Sequence, residues 1–313
     1  MERVATDDIP AFIGGREGEG RRALITGLRG FTGHYLAQEL TAAGYRVFGT
    51  VMPGDETGPD IFPVNLLDRA AVQRVVDEVQ PDVVAHLAGI AFVGHGDAEL
   101  IYRVNVVGTR NLLEALDKGG HRPTSVLLAS SANIYGNASV PVIDENVPPS
   151  PANDYAVSKL AMEYMARLWM DKLPIIIARP FNYTGIGQAE NFLLPKIVSH
   201  FRRNEQRIEL GNLAIARDFS DVRMVARAYR RLLAVAPGGE AFNVCSGASH
   251  SLSNLIDLMS EIAGYRIDVQ VNPAFVRAND VLTLTGSNSK LTAAIGQLEP
   301  TPLSETLRWM YLA

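Results

Sequence analysis

The sequence predicts an α/β fold: a doubly wound parallel sheet joined to a smaller, partly interleaved α/β region. Three observations predict it. Short apolar runs alternate with stretches of helical period, a glycine-spaced turn directly follows the first apolar run, and a tyrosine and a lysine four residues apart open a later helix. Strands alternating with helices indicate a parallel sheet covered on both faces.

In chain order, residues 1–21 end in Gly14-Gly15-Arg16-Glu17-Gly18-Glu19-Gly20, a glycine and charge mixture that reads as a flexible leader. The fold is expected to start at Arg22. Ala23-Leu24-Ile25-Thr26 reads as a buried strand, a glycine turn follows, and Tyr35 to Ala43 reads as a helix ended by Gly44. Further strands are expected near 46–51, 61–64, 82–87 and 124–129, with helices near 68–79, 98–118 and 154–171, and another strand at Leu173 to Ala178. After Arg179-Pro180 loops lengthen. Helices are expected there near 191–203, 221–235 and 252–263, and short strands near 206–210, 241–245, 267–271 and 281–285. The division is a dinucleotide-binding domain of Rossmann type over 22–180, then a second region over 181–313 with some segments returning to the first sheet.

Composition narrows the partners. The chain has 313 residues, 47% apolar and 20% charged, which fits a soluble globular protein able to bury a sizeable core. Its 29 basic and 34 acidic residues leave a net charge of −5, which gives no general attraction for nucleic acid or an anionic membrane. Any anionic ligand needs locally placed groups. The single cysteine, Cys245, excludes an internal disulfide framework and reads as a buried strand thiol; with no apolar run of membrane-spanning length, the protein is expected in the cytoplasm. No metal site is predicted.

The glycine turn is Thr26-Gly27-Leu28-Arg29-Gly30-Phe31-Thr32-Gly33. Gly27 allows the tight turn, Gly30 lets a pyrophosphate approach the backbone, and Gly33 lets helix pack on strand, so the helix amino terminus faces phosphate. An acidic residue ending the second strand would favour NAD, but Val47 to Met52 contains none, and no carboxylate occurs until Asp55. Arg29 in the turn could meet a 2′-phosphate, so the reading is NADP or NAD with NADP preferred.

Tyr155-Ala156-Val157-Ser158-Lys159 places a phenol and an ammonium on one helix face. Such a pair can move a proton to or from a carbonyl or hydroxyl oxygen at neutral pH. Upstream, Leu127-Leu128-Ala129-Ser130-Ser131 is an apolar run that would deliver Ser131 to the carboxyl end of a strand.

With the glycine turn, Asp82-Val83-Val84-Ala85-His86-Leu87-Ala88-Gly89, Asn105, Ser131, Tyr155 and Lys159 in place, the chain from about residue 22 onward resembles an extended short-chain dehydrogenase/reductase, in the NAD-dependent epimerase/dehydratase family. The resemblance implies that Ser131 polarises a substrate oxygen, Tyr155 is the acid-base catalyst, and Lys159 binds the nicotinamide ribose and lowers the tyrosine's pKa. It further implies cofactor contacts at Gly27, Arg29, Gly30, Phe31, Gly33, Asn65, Leu66, Leu87 and Ala88, with Asn105 supporting the lysine. In the second region Arg179-Pro180-Phe181-Asn182-Tyr183-Thr184-Gly185, Arg217-Asp218-Phe219-Ser220-Asp221 and Arg277-Ala278-Asn279-Asp280 are similar to the nucleotide-sugar branch and its GDP-sugar members. Asn133, Asn182, Lys196, Arg217, Arg277 and Asp280 are the implied substrate contacts, while Asp218 and Asp221 read as braces of a helix start.

Within that branch a 4,6-dehydratase needs a carboxylate two residues after the serine. Asn133 stands there, and an amide cannot perform the proton transfers. The resemblance is closest to reductases of GDP-4-keto-6-deoxy-D-mannose, which implies NAD(P)H-dependent reduction of a C4 ketone to GDP-D-rhamnose or its C4 epimer. The alternatives are a nucleotide-sugar 4-epimerase with tightly bound NAD and, further off, a dehydratase or a non-catalytic binding subunit. The family's homodimer implies a paired-helix interface, for which Leu112, Leu113, Leu116, Met162, Met165, Leu168 and Trp169 supply an apolar stripe.

Overall fold

The computed structural model describes residues 16–91, 97–213, 215–235, 237–273 and 283–313. Strand β1 (Arg22–Thr26) leads through the glycine turn into α1 (Phe31–Ala42), followed by β2 (Arg46–Val51), β3 (Ile61–Pro63), α2 (Arg69–Val79) and β4 (Val83–His86). Then come α3 (Ala98–Tyr102), a π-helical turn over Arg103–Gly108, α4 (Thr109–Lys118), β5 (Ser125–Ala129), a 3-10 turn over Ala132–Tyr135, α5 (Asp154–Arg167) and β6 (Ile175–Pro180). The remainder holds β7 (Asn182–Thr184), α6 (Leu193–Arg202), β8 (Arg207–Leu210), β9 (Ala216–Asp221), α7 (Val222–Val235), β10 (Ala241–Val244), β11 (Ser249–Ser251), α8 (Leu252–Ala263), β12 (Asp268–Val271), β13 (Thr283–Leu284), α9 (Ser289–Ile295) and α10 (Leu303–Leu312).

Seven parallel strands form the central sheet in the order β10-β6-β5-β4-β1-β2-β3. Its strands are apolar at consecutive positions because both faces are covered. Ala23, Ile25, Val83, Ala85, Leu127 and Ile176 join one core with residues of α1, α7 and α9. Leu24, Val84, Val126, Leu128, Ile175 and Ile177 join another with α2, α4 and α5. Each such buried Leu, Ile or Val contributes about 1.5–3 kcal/mol. β9 organises a smaller sheet with β7, β11 and β13, and β8 pairs with β12. Beside these, α6, α8 and α10 enclose a third core around Ile197, Phe201, Met259 and Leu307.

The region read as one helix over 98–118 is broken by the π-helical turn. Thr109 Oγ1 donates to the Asn105 carbonyl at 2.7 Å, drawing that acceptor into side-chain bonding, and the wider turn seats Gly108 where a Cβ would lie 3.0 Å from Leu66 Cβ. α5 ends at Arg167 rather than 171. The fold also begins before Arg22: Gly18 N–H donates to Ala43 O, and Glu17 pairs with Arg230. Glycine and charge content alone concealed this, because the anchoring partners lie far along the chain. Residues 1–15 of the expected leader lie outside the described residues. Five elements go beyond the sequence reading, β7, β9, β11, α9 and α10, and four of them lie beyond residue 215.

The stripe expected to pair two chains is largely internal. Leu112, Leu113, Leu116 and Met162 are buried in the core, Met165 and Trp169 pack against it, and of the seven only Leu168 is an exposed apolar side chain. No described helix is long and apolar enough to cross a membrane. Cys245 follows β10 and is buried, which pushes its thiol pKa up.

Candidate active site

The carboxyl ends of β1, β2, β4, β5 and β6 converge, as the crevice of a doubly wound sheet requires. Gly27 adopts φ +75°, and a Cβ there would meet the Ala88 backbone at 3.0 Å. Its N–H and that of Leu28 bond to Thr50 O at the end of β2. A Cβ on Gly33 would collide with the Gly27 and Leu28 carbonyls, so the third glycine is what lets α1 lie against the turn. Gly30 is the N-cap and supplies no side chain to the first-turn N–H groups, and no acidic residue enters that turn. The result is a cradle that fits a dinucleotide pyrophosphate. A cleft of about 510 Å³ beside it is lined by Leu28, Arg29, Gly30, Phe31, His34 and Tyr35 among others.

The other expected cofactor residues differ in placement. Leu87 and Ala88 follow β4 at the edge of the turn, half-buried. Asn65 is exposed and its Oδ1 accepts from Leu67 N at 3.0 Å, while the Leu66 side chain is buried in the core and its carbonyl accepts from Asn111 Nδ2 at 2.9 Å. Leu66 therefore could face a ligand only through its backbone.

His86 closes a chain of hydrogen bonds between the turn and the π-helical segment. Ala88 N–H donates to Thr26 Oγ1, which lies 2.7 Å from His86 Nδ1; His86 Nε2 lies 2.8 Å from Thr109 Oγ1, whose proton goes to Asn105 O. The Thr109 proton is committed, so His86 donates from Nε2 and accepts at Nδ1 from Thr26. Burial and then the nearby Lys159 charge press its pKa down to about 3, which keeps the ring neutral.

Ser131, Tyr155 and Lys159 come together as the sequence predicts, and all three are buried. Asn153 caps α5 through Ala156 N, so the helix begins at the turn that carries Tyr155. Ser131 starts the 3-10 turn: its Oγ accepts from Asn133 N at 3.2 Å, and its hydroxyl hydrogen-bonds to Tyr155. Lys159 Nζ donates to Ala129 O at 2.8 Å and stands 5.9 Å from the Tyr155 ring centroid. Asn105 does not bond Lys159 directly. It holds the Ile90 backbone through Oδ1 (2.9 Å) and Nδ2 (3.2 Å), and donates to Ser158 Oγ at 3.0 Å. A Cβ on Gly89 would press on Asn105 Oδ1 and come 3.4 Å from Lys159 Nζ, so this glycine permits the approach.

The expected lowering of the tyrosine pKa is reversed here. Burial, opposed by the Ser131 hydrogen bond, pushes Tyr155 up to about 12, while burial, opposed by Glu163, brings Lys159 down to about 8. Desolvation is the largest cause at both groups, disfavouring the phenolate and the ammonium alike. At neutral pH Tyr155 therefore carries a proton to give.

Asn133 lies in the 3-10 turn beside Ser131. Asn182 opens β7 with a buried Nδ2 that has no protein partner, a free donor at the site. Lys196 Nζ donates to Glu209 O at 2.7 Å and Arg217 Nη1 to Ala216 O at 3.0 Å, so both are anchored near the small sheets. Arg277 and Asp280 lie outside the described residues. Asp218 is buried and braces a turn, accepting from Ser246, Gly247 and Gly286, while Asp221 accepts from Arg223 N and Thr306 Oγ1 at the start of α7. Among the described residues no cluster of three or more His, Cys, Asp or Glu side chains could hold a metal.

Two contributors escaped sequence reading. Tyr183 bonds Thr32 Oγ1 at 2.8 Å and stacks on Phe31 at 5.9 Å, tying β7 to the glycine turn. Glu163, four residues beyond Lys159 on the same face, receives Ser130 Oγ at 2.5 Å and the Arg179 guanidinium. The extension of Tyr-x-x-x-Lys by a further four residues to an acid was the available signal.

The family of GDP-mannose 4,6-dehydratases matches residues 24–310. A GDP-6-deoxy-D-talose 4-dehydrogenase of Aggregatibacter actinomycetemcomitans is 34% identical over 88% of this chain and 91% of its own. A GDP-6-deoxy-D-mannose reductase of Pseudomonas aeruginosa is 33% identical over 92% of this chain and 95% of its own. Among solved structures, a Burkholderia cenocepacia J2315 protein with the provisional description epimerase is 55% identical with TM-score 0.89, covering 94% of this chain and 98% of that one. The structure of RMD from Pseudomonas aeruginosa complexed with NADPH is 31% identical with TM-score 0.82, covering 93% and 98%.

Proposed function

From the premise that the chain belongs to the GDP-mannose 4,6-dehydratase family, within the NAD-dependent epimerases and dehydratases, we propose that it is a reductase of a GDP-4-keto-6-deoxy-hexose rather than a dehydratase. It is an NAD(P)-dependent oxidoreductase of the short-chain type. One observation carries the narrower reading: the buried Ser131, Tyr155 and Lys159 are accompanied by an amide at Asn133, so the site can protonate one oxygen but has no carboxylate there for elimination.

When bound, the nicotinamide supplies the hydride that reduces C4. Ser131 Oγ hydrogen-bonds the C4 oxygen, and Tyr155 Oη gives it a proton, turning ketone into alcohol. The ammonium of Lys159, fixed on Ala129 O, offsets charge left on the phenol oxygen and offers donors to the nicotinamide ribose. The glycine turn, with Phe31 and the Leu87-Ala88 edge, holds the dinucleotide. Asn182 Nδ2, Lys196, Arg217, Arg277 and Asp280 are proposed to hold the nucleotide diphosphate and base, guanidinium groups being the means by which an acidic protein binds a dianion. The protein is proposed to act as a homodimer.

Absorbance at 340 nm tests this directly. Enzyme, nicotinamide and GDP-4-keto-6-deoxymannose freshly made by a dehydratase are expected to show a decline that Tyr155→Phe abolishes. A changed C4 configuration with no net consumption of nicotinamide would replace this reading by a 4-epimerase, which uses the same three side chains.

A further inference from the structure

Arg29 favours NADP when read from sequence alone, yet in the structure its guanidinium is already engaged. Nη1 donates to Glu56 Oε2 at 2.9 Å, with the arginine side chain 39% exposed and the glutamate 83%. Glu56 belongs to the loop that β2 feeds, and the preceding Asp55 pins that loop by accepting from Met52 N at 3.1 Å. The glycine turn meets the same place, because Gly27 N and Leu28 N bond to Thr50 O at the exit of β2. In this fold the group at the exit of the second strand meets the adenosine ribose, a carboxylate there accepting the 2′-hydroxyl and an arginine receiving a 2′-phosphate.

Resting on the assignment of the glycine turn to the dinucleotide, we propose that Glu56 is a specificity-determining residue that selects NADH over NADPH: it occupies Arg29 and stands where the missing second-strand carboxylate would act. A carboxylate accepts a hydrogen bond from a ribose 2′-hydroxyl. A 2′-phosphate brings no proton to donate, carries about two negative charges, and meets the Glu56 carboxylate beside Arg29. The charge of Glu56 persists through the neutral range, since the hydrogen bond from Arg29 holds its carboxyl below the usual value. The pair is surface-exposed and therefore weak in itself, so Arg29 is available to phosphate as soon as its competitor is removed.

The ratio Kd(NADPH)/Kd(NADH), measured by fluorescence titration of the full chain, tests the proposal. The wild-type ratio is expected to exceed one, and Glu56→Gln is expected to lower it roughly tenfold. Adding Arg29→Gln to Glu56→Gln should restore the ratio, because Arg29 is the group released. Both residues sit on the surface, and thermal melts of the variants would register any loss of fold. A wild-type ratio below one, or a ratio that Glu56→Gln leaves unchanged, would overturn the proposal while leaving the cofactor site intact. A wild-type protein that binds neither nucleotide would overturn the cofactor assignment and this inference with it.

Discussion

Arg179 and Glu163 form a bidentate ion pair, Nε to Oε1 at 3.0 Å and Nη2 to Oε2 at 2.7 Å, with side chains 5% and 1% exposed. The pair stands directly behind the proposed proton-transfer groups. Glu163 also receives Ser130, the neighbour of Ser131, and raises the Lys159 pKa against burial. Arg179 further donates to Tyr135 Oη at 2.8 Å, which donates in turn to Asn243. Glu163→Gln leaves a buried guanidinium uncompensated and is expected to cost about 3–5 kcal/mol, read from urea unfolding. Replacing both by Leu and Met should cost less than the single change. Equal losses would show that the pair acts only as packing.

A pH profile of reduction follows from Lys159. Its pKa is lowered to about 8, so kcat/KM is expected to fall above about pH 8 as the ammonium is lost, well below the titration of Tyr155 near 12. The linkage has the opposite sign for stability. Between about 8 and the ordinary lysine value the unfolded chain binds more protons than the folded one, so this group's contribution to unfolding free energy rises with pH across that window. Activity falling while the lysine's contribution to stability rises is the signature to seek, comparing wild type with Lys159→Met. A flat rate through pH 9.5 would remove Lys159 from charge stabilisation.

Tyr155→Phe removes the proposed acid with little change of volume, and reduction is expected to slow roughly 10²–10⁴-fold. Ser131→Ala removes one donor to the reacting oxygen and is expected to cost about 10²–10³-fold. Dinucleotide affinity should survive both changes. Single-turnover traces at saturating nicotinamide check this, and a Tyr155→Phe enzyme within tenfold of wild type would move the acid elsewhere.

What was legible in the sequence tracks how local each cause is. The central strands are read because two-sided burial makes every position apolar, as in Leu24 and Ile25 facing opposite cores. The glycine turn and Tyr155/Lys159 are read because their geometry is set within one turn of chain. The π-helical turn was missed because part of what it accommodates is distant in sequence: Gly108 seats against Leu66, and the Asn105 side chain bonds Ile90 and Ser158, 15 and 53 residues away. The raised Tyr155 pKa was missed because burial is a property of the whole fold. Glu56 carries no signal of its own in the sequence, because its partner Arg29 lies 27 residues away.

Gly33→Ala places a methyl against the Gly27 and Leu28 carbonyls, which cannot move without opening the turn. A loss of about 1–3 kcal/mol is expected, as for overpacking, together with weakened dinucleotide binding. Gly30→Ala meets only the Gly27 carbonyl, at 3.1 Å, and should be milder. Thermal melts with and without nicotinamide separate the two effects. Equal behaviour of the two variants would contradict the distinct roles given to these glycines.

The last expectation concerns assembly. Val157 and Tyr164 on α5 and Leu168, its C-cap residue, are exposed, the latter two at 55% and 78%, and their spacing of seven and then four residues places them on one side of the helix and its cap. Val107, on the π-helical turn beside α5, is exposed as well, so apolar surface lies on both members of the helix pair. An apolar patch of this kind in a protein with a well-filled interior is a candidate for burial between copies. Six of the seven residues of the stripe read from sequence belong to the core or pack against it, whereas the seventh, Leu168, is exposed and joins Val157 and Tyr164, which the stripe did not include. Leu168→Asp should therefore convert a sedimenting dimer to monomer while leaving urea unfolding of the monomer nearly unchanged, because that side chain contributes nothing to the core. Wild type sedimenting as monomer at micromolar concentration would remove the dimer, and a Leu168→Asp dimer would place its interface on another face.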